Sequence, residues 1–548
     1  MNRDRGVGNA FRSIRHTLTS PGPRFISVIT FIFACGLAYE PLYHIVRGSL
    51  AYSIIPQDDF YYYYLVAKHL ALDRFSSFDG IIPTNGYHPL WMLALAGMHF
   101  IARGNDRLCF ILIEAAQILS AVITARLLTK LFGVLYGPAK WIPALSLLAS
   151  LLLTVLIFLS METVVAIPLY VLFLVVISRG CEFRSRTREA FLCGLVGSLL
   201  VLARLDAILA VGLTLLLFLY LRSSFKSLVA YAIGLLPIVV YLILNRAIFG
   251  AWLPVSAEVK ALGSGIHVSL LPIEVIRTPR GFLYFILMVT GCVLSIRALT
   301  RSDPSSGLRL LIFLFPLFYV LLLMLRLSWP VYVWYFYPFP IAAAAGLLEL
   351  RAMTSTKFQS RLDRAAPAGL LLIMICSIII LSRDIPGLTT NLNLDERTTR
   401  AQPNIYIHAL GIKPFTDSHP GRYAMGDRAG LTAFITGQPI LQVEGLAADP
   451  AMVDSVRACA DLLAVLKKYG VHYYIVSYPL KEFHEQQNNW ALYEPHRQQV
   501  LPWMPLMRGD FYAPEVFRFP LPVGVPLSNE DSGRWVTRIL DISEAHEK

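Results

Sequence analysis

The side chains able to do chemistry fall in a few short stretches of an otherwise apolar chain. The densest is Pro56–Trp91, with adjacent carboxylates Asp58 and Asp59, four consecutive tyrosines (Tyr61 to Tyr64) and the turn Thr84-Asn85-Gly86-Tyr87-His88-Pro89. A carboxylate beside a reacting hydroxyl can take its proton. The pair can also hold a divalent cation with help from phosphate oxygens. The plainer role for Asp58 and Asp59 is a solvated helix cap, since Asp is common before helices. His88 precedes Pro89, a residue suited to the first turn of a helix, so His88 and free backbone N–H groups are expected at a helix N-terminus. Such an end attracts anions. Asn85 and Tyr87 flank Gly86 in the turn and join His88 as candidate substrate contacts. The alternative is a structural turn beside an interfacial Trp91.

Three further places carry charge. Glu162 opens a helix at Met161-Glu162-Thr163, where its carboxylate either contacts substrate or only favours the helix dipole. Arg204-Leu205-Asp206 interrupts the apolar run from Phe191 to Tyr220. Charges in such a break are functional candidates, with a mutual Arg204–Asp206 pair as the structural alternative. Lys260 lies in the polar loop Pro254–Lys260, where it either meets substrate or is merely solvated. Gly426-Asp427-Arg428-Ala429-Gly430 lacks the G-x-G-x-x-G spacing of a nucleotide fingerprint and reads as a strand-to-helix turn.

These residues must be positioned by membrane helices. The 548 residues are 56% hydrophobic and 15% charged, against about 25% charged in an average soluble protein. Mean hydropathy is +0.57. Apolar runs of bilayer length then define a polytopic α-helical membrane protein. The net charge of +12 fits cytoplasmic loops and lipid contact and argues against nucleic-acid binding. The seven cysteines show no C-x-x-C spacing, which argues against a metal cluster or a disulfide framework. Arginines at 3, 5, 12, 15 and 24 place residues 1–24 in the cytoplasm, and the long apolar run after them reads as a retained first helix.

Eleven crossings are expected: Phe25–Val46, Leu108–Leu128, Trp141–Leu159, Glu162–Ser178, Ala190–Ala203, Leu205–Leu221, Leu228–Ile248, Gly281–Leu299, Leu310–Leu327, Val331–Leu350 and Pro367–Leu381. With that count nearly every basic cluster falls on one side. The first outer loop, 47–107, then holds an amphipathic helix near Tyr61–Leu72 and a short apolar segment, Leu90–Ala102, read as re-entrant or interfacial. Residues 25–383 form the membrane domain and 384–548 an extracytoplasmic α/β domain. Within the latter, strands are expected at Arg422–Met425, Pro439–Val443 and Val471–Ser477, a helix at Pro450–Tyr469, and irregular strands from Val500 to Leu540.

The stretches DDFYYYYLVAKHLA, SFDGIIPTNGYHPLW, SMETVVAIPLYVLFL, LARLDAILAV and NRAIFGAWLPVSAEVK resemble the bacterial C-type glycosyltransferases. Polyprenyl-phosphate-dependent arabinofuranosyltransferases of mycobacteria are the nearer likeness; aminoarabinose transferases and protein O-mannosyltransferases are more distant ones. The resemblance runs from Phe25 to about Ser477. It implies transfer of a sugar from a polyprenyl-phosphate donor to a hydroxyl acceptor of the cell envelope, at the outer face of a bacterial inner membrane. It implies Asp58 as general base with Asp59 as its partner, His88 and Arg204 at the donor phosphate, and Glu162 at an acidic position that opens a later helix. Two other classes stay open. One is a transporter or lipid flippase, which would favour internal repeats and polar groups near the midplane. The other is a non-catalytic membrane protein that presents its outer domain to partners.

Overall fold

The computed structural model describes residues 22–54, 56–137, 139–180, 187–221, 223–263, 279–299, 305–326, 328–329, 331–389, 401–479, 490–495, 504–520, 523 and 535–548. Residues 1–21 of the basic N-terminus, the arginines at 184 and 186, and most of the tail between 521 and 534 lie outside the described residues.

The first part of the chain is helical: α1 (Pro23–Val46), α2 (Asp58–Asp73), α3 (Pro89–Ala102), α4 (Asp106–Tyr136), α5 (Ile142–Ile157), α6 (Thr163–Gly180), α7 (Thr187–Ala203), α8 (Ile208–Tyr220), α9 (Phe225–Gly234), α10 (Leu236–Phe249), α11 (Val255–Ala261), α12 (Pro279–Leu299), α13 (Ser306–Arg326), α14 (Phe339–Met353) and α15 (Thr356–Thr389). Helices satisfy their own backbone groups, which a bilayer demands. Among the described residues, seven helical stretches are long and apolar enough to cross one: Pro23–Val46, Asp106–Tyr136, Phe225–Phe249, Phe282–Leu299, Ser306–Arg326, Val333–Met353 and Thr356–Ile379. All seven fall on expected crossings. The other four expected crossings are the shorter helices α5 to α8, of 16, 18, 17 and 13 residues. At 1.5 Å per residue these are about 20–27 Å long, against about 30 Å of hydrocarbon.

One expected crossing is two helices. Leu228–Ile248 breaks at Leu235, ahead of Pro237, which takes an early position in α10 where its missing N–H costs nothing. A Cβ on Gly194 would stand 2.2 Å from the Tyr231 carbonyl oxygen, so α7 and α9 meet backbone to backbone. Small residues permit that approach between membrane helices.

Beyond α15 lie α16 (Ala401–Ser418), β1 (Tyr423–Met425), α17 (Ala429–Thr436), β2 (Ile440–Gln442), α18 (Pro450–Arg457), α19 (Leu462–Lys468), β3 (Tyr473–Pro479), β4 (Trp490–Tyr493), β5 (Phe511–Phe519), β6 (Trp535–Asp541) and β7 (His546–Glu547). The sheet order is β2-β1-β3-β6-β5-β4, with β7 beside β5. β1 pairs in parallel with β2 and β3, whereas β6, β5 and β4 run antiparallel to their neighbours. The expected helix Pro450–Tyr469 is divided: Cys459 takes a left-handed φ of 48°, and Asp461 caps α19 by accepting the Ala464 N–H at 2.7 Å. The tail is more regular than its Pro-rich composition suggested, because β6 finds a seven-residue antiparallel partner in the distant β3.

Two contacts seat this α/β layer on the helical one. α17 lies against α2, and the loop after β2 packs through Leu446 into an apolar cluster with Val255, Val259 and Trp329.

Candidate active site

Asp58 and Asp59 fill the first turn of α2, where carboxylates complement the helix dipole. Successive helical side chains point about 100° apart, so the two diverge. Asp58 is buried, and its Oδ1 accepts the Leu431 N–H of α17 at 2.7 Å. Asp59 lines a cavity and accepts no hydrogen bond among the described residues. The tyrosines divide likewise. Tyr61 donates to the Ser53 carbonyl at 2.6 Å and Tyr64 to Asp106 Oδ1 at 2.8 Å. With Lys68, which reaches the same carboxylate at 2.9 Å, these bonds tie α2 to its neighbours. Tyr62 and Tyr63 face the cavity.

The turn before α3 is bonded at nearly every residue. Thr84 Oγ1 donates to the Ala448 carbonyl at 2.7 Å and accepts the Gly86 N–H at 3.1 Å. Asn85 donates to Asn245 and to the Leu253 carbonyl, and accepts the Val255 N–H at 3.1 Å. A Cβ at Gly86 would fall 2.0 Å from the Leu446 carbonyl oxygen, so no larger residue fits beneath the loop after β2. Tyr87 shares a hydrogen bond with Ser76 at 2.8 Å. Asn85 and Tyr87 therefore position the turn and stay outside the cavity lining. His88 is the N-cap residue of α3 and lines the cavity. Its Nδ1 accepts the Leu205 N–H at 3.4 Å, which leaves Nε2 as the N–H donor of the neutral ring. Burial lowers the His88 pKa, with Glu162 opposing and Arg204 adding to the effect.

The break between α7 and α8 is where expected, a short turn at Leu205–Ala207. Arg204 is heavily engaged there. It donates to Glu162 Oε1 at 2.6 Å, to Asp206 Oδ2 at 2.6 Å and to the Tyr319 hydroxyl at 3.2 Å, and it lies over the rings of Tyr335 and Tyr337. Tyr319 in turn donates to Asp206 at 2.6 Å. The expected Arg204–Asp206 pair exists, enlarged by Glu162 into a buried triad. Four of its five N–H groups are spent on these partners, which leaves one, on the nitrogen that faces Glu162, for a ligand.

The cavity has a volume of about 240 Å³. Asp59, His88, Glu162, Arg204, Asp206 and Lys260 all line it, together with Tyr62, Tyr63, Leu322, Leu323, Arg326, Trp334, Tyr335 and Leu446. Lys260 reaches it from α11, with Nζ 3.4 Å from the Tyr335 hydroxyl, and Arg326 from the end of α13. Neither makes an ion pair among the described residues. Burial works against the charge of Lys260, but the Tyr335 hydroxyl, Asp59 and Glu162 hold its pKa above the ordinary value. Burial also raises the Asp59 pKa; Lys260 pulls it down, and Asp427 and Glu162 push it up. The Asp58 carboxyl is pushed up to about 7 by burial, against the pull of the Leu431 N–H.

Sequence reasoning missed Arg326, the paired tyrosines Tyr62 and Tyr63, and the wall contributed by the loop after β2. A signal existed for Arg326, a lone cation closing the apolar run Leu310–Leu325 on the expected outer side. None existed for Leu446. Asp58 is turned to the Leu431 N–H and Asp59 to the cavity. Among the described residues no group of three His, Cys, Asp or Glu is arranged to hold a metal ion.

No protein-family model and no curated protein matches the chain. Solved structures are similar in fold. The crystal structure of an Archaeoglobus fulgidus oligosaccharyltransferase, tethered to an acceptor peptide containing the NVT sequon, is 11% identical with a TM-score of 0.50, over 83% of this chain and 69% of that one. ArnT from Cupriavidus metallidurans bound to undecaprenyl phosphate is 12% identical with a TM-score of 0.49, over 93% of this chain and 97% of that one. Its apo form is 14% identical with a TM-score of 0.46, over 78% and 89%. The likeness to the oligosaccharyltransferase is one of architecture: a helical membrane domain followed by a separate C-terminal domain, the C-type glycosyltransferase fold.

Proposed function

We propose that the protein is a glycosyltransferase that moves a sugar from a polyprenyl-phosphate donor to a hydroxyl acceptor of the cell envelope, at the outer face of a bacterial inner membrane. The N-terminus lies inside and the C-terminal α/β domain outside. One observation carries the reading: a cavity at the ends of membrane helices is lined by a carboxylate, Asp59, that accepts no hydrogen bond among the described residues and by two cations, Lys260 and Arg326, that make no ion pair among them. Attack on a sugar phosphate needs those two functions. A base takes the acceptor proton, and fixed positive charge stabilises the phosphate as it leaves.

In this reading Asp59 is the general base and Asp58 holds α17 against α2. The reassignment from Asp58 rests on direction: the Asp58 carboxylate is occupied by Leu431, while Asp59 lines the cavity. The acceptor oxygen attacks the anomeric carbon, its proton passes to Asp59, and the carbon–oxygen bond to phosphate breaks with both electrons leaving on the polyprenyl phosphate. A single displacement of this kind inverts the anomeric centre. Lys260 and Arg326 bind the phosphate, with His88 Nε2–H as a neutral donor beside them. Arg204 keeps Glu162 and Asp206 neutralised and the α7–α8 break rigid. The polyprenyl chain leaves along Leu322 and Leu323 of α13, where the cavity wall is apolar.

The test uses purified protein in proteoliposomes with a panel of polyprenyl-phosphate sugars. Wild type releases polyprenyl phosphate and Asp59→Asn does not. Absence of release with the whole panel, or equal release by both proteins, would defeat the reading.

A further inference from the structure

Of the four consecutive tyrosines in α2, three have their hydroxyls engaged. Tyr61 donates to the Ser53 carbonyl and Tyr64 to Asp106, and Tyr63 is hydrogen-bonded to the His88 backbone. Tyr62 neither donates nor accepts a hydrogen bond among the described residues. It is only 7% exposed, yet it lines the main cavity. A hydroxyl so enclosed ordinarily has a partner, in the protein or in a bound molecule. Its ring is held in place. Phe78 packs edge-on against it with ring centres 5.1 Å apart. Phe78 is itself buried, in a loop pinned by Asp79, which accepts the Ile81 N–H at 2.9 Å, the Ile82 N–H at 2.8 Å and the Arg422 guanidinium at 2.8 Å.

Asp59 and Tyr62 stand three residues apart on α2, so they share one helix face and one cavity. The charges that act on Tyr62 are all carboxylates: Asp58 and Asp59 from its own helix, Glu444 from the loop after β2 and Asp427 from the turn before α17. Burial foremost, and these carboxylates with it, raise its pKa well above the ordinary value, so the phenol remains an O–H donor. Tyr63, next in the chain, feels Glu162 and Arg204 before Asp59, and its ring lies nearly parallel to that of His88 at 6.5 Å. The two tyrosines mark two ends of the cavity. Tyr63 stands with His88 at the end assigned to the donor phosphate, and Tyr62 stands with the base.

An acceptor hydroxyl has one proton and two lone pairs. With the proton directed to Asp59 and one lone pair to the anomeric carbon, the second lone pair is left to accept a hydrogen bond. We propose that Tyr62 is a further catalytic residue that orients the acceptor: its O–H donates to the attacking oxygen while Asp59 takes the proton. Three contacts then fix the line of attack, where the base alone would leave the oxygen free to rotate about its own hydrogen bond. The phenol keeps its proton throughout the displacement and takes no part in the departure of phosphate. The assignment rests on the transferase reading of the main cavity.

The test is steady-state release of polyprenyl phosphate by the full chain in proteoliposomes. The donors are the polyprenyl-phosphate sugar panel, and the acceptor probes are glycerol and methyl glycosides of common hexoses and pentoses. Wild-type release accelerates and saturates as at least one probe is raised. Tyr62→Phe keeps the ring against Phe78 and removes only the hydroxyl. It raises the half-saturating concentration of that probe roughly two- to tenfold, as expected for one neutral hydrogen bond. The donor KM, the melting temperature and the pH limb set by Asp59 stay at their wild-type values. Tyr61→Phe, which loses a hydroxyl bonded to Ser53, leaves the acceptor dependence as it is in wild type. An unchanged acceptor dependence in Tyr62→Phe overturns the assignment. A shifted pH limb in place of the acceptor effect also overturns it, because Tyr62 then serves Asp59, and a raised donor KM in its place moves Tyr62 to the phosphate. Wild-type release that no probe accelerates overturns it too, since the base end then takes no hydroxyl acceptor. Release from no donor in the panel defeats the transferase reading itself, so the two failures are told apart.

Discussion

Replacing each member of the aspartate pair in turn separates catalysis from support. Asp59→Asn removes a base and keeps the shape. General-base catalysis contributes roughly 10²–10⁴-fold, so polyprenyl-phosphate release falls by that factor while the protein keeps its thermal stability and donor affinity. Asp58→Asn keeps an acceptor oxygen for the Leu431 N–H, 2.7 Å away in the native protein, and retains activity within about tenfold of wild type. The amide also removes the cost of a buried charge. Asp58→Ala orphans that N–H at the contact between α2 and α17, at a cost of roughly 1–3 kcal/mol. It lowers the melting temperature and opens the α16–α17 region to limited proteolysis. Release assays in proteoliposomes, with melting curves on the same preparations, supply every number. An inactive but stable Asp58→Asn beside an active Asp59→Asn would refute the assignment.

Other expectations follow from the same geometry. Lys260→Gln raises the donor KM roughly 10–100-fold, the worth of a charge-assisted hydrogen bond, with little change in melting temperature; an unaltered KM removes Lys260 from the phosphate. Arg204→Ala strands the buried carboxylates of Glu162 and Asp206 and destabilises the fold by roughly 3–5 kcal/mol, so it is read as poor expression and early melting rather than as a selective loss of donor affinity. The pH profile of wild-type release rises as Asp59 deprotonates, at a pH above its ordinary 3.8 because burial raises its pKa, and that limb is missing from the residual rate of Asp59→Asn. Stability runs the other way. Asp58 titrates near 7 in the fold against 3.8 in the open chain, so the stability it contributes is complete below about 4 and is lost as pH rises toward 7. Asp58→Asn flattens that slope in melting curves, and an unchanged slope places the titration elsewhere.

The sequence by itself determined the elements whose cause is local. Apolar length located the long apolar helices, since a bilayer leaves no alternative to a long helix. Pro89 after His88 marked the start of α3, and the charged interruption at Arg204–Asp206 marked the break between α7 and α8. It also drew most of the cavity's charged groups from loops far apart in the chain. What it could not decide was direction and pairing. Asp58 and Asp59 are chemically equal neighbours; a partner 373 residues away, Leu431, claims one and leaves the other facing the cavity. Arg204 looked largely unpaired until Glu162, from the turn before α6, completed its triad. The wall made by Leu446 exists only because the α/β layer folds down onto α11. Helical length and charge are written along one segment, whereas the rotation of a side chain and the identity of its neighbour are fixed by the packing of segments that the chain keeps apart.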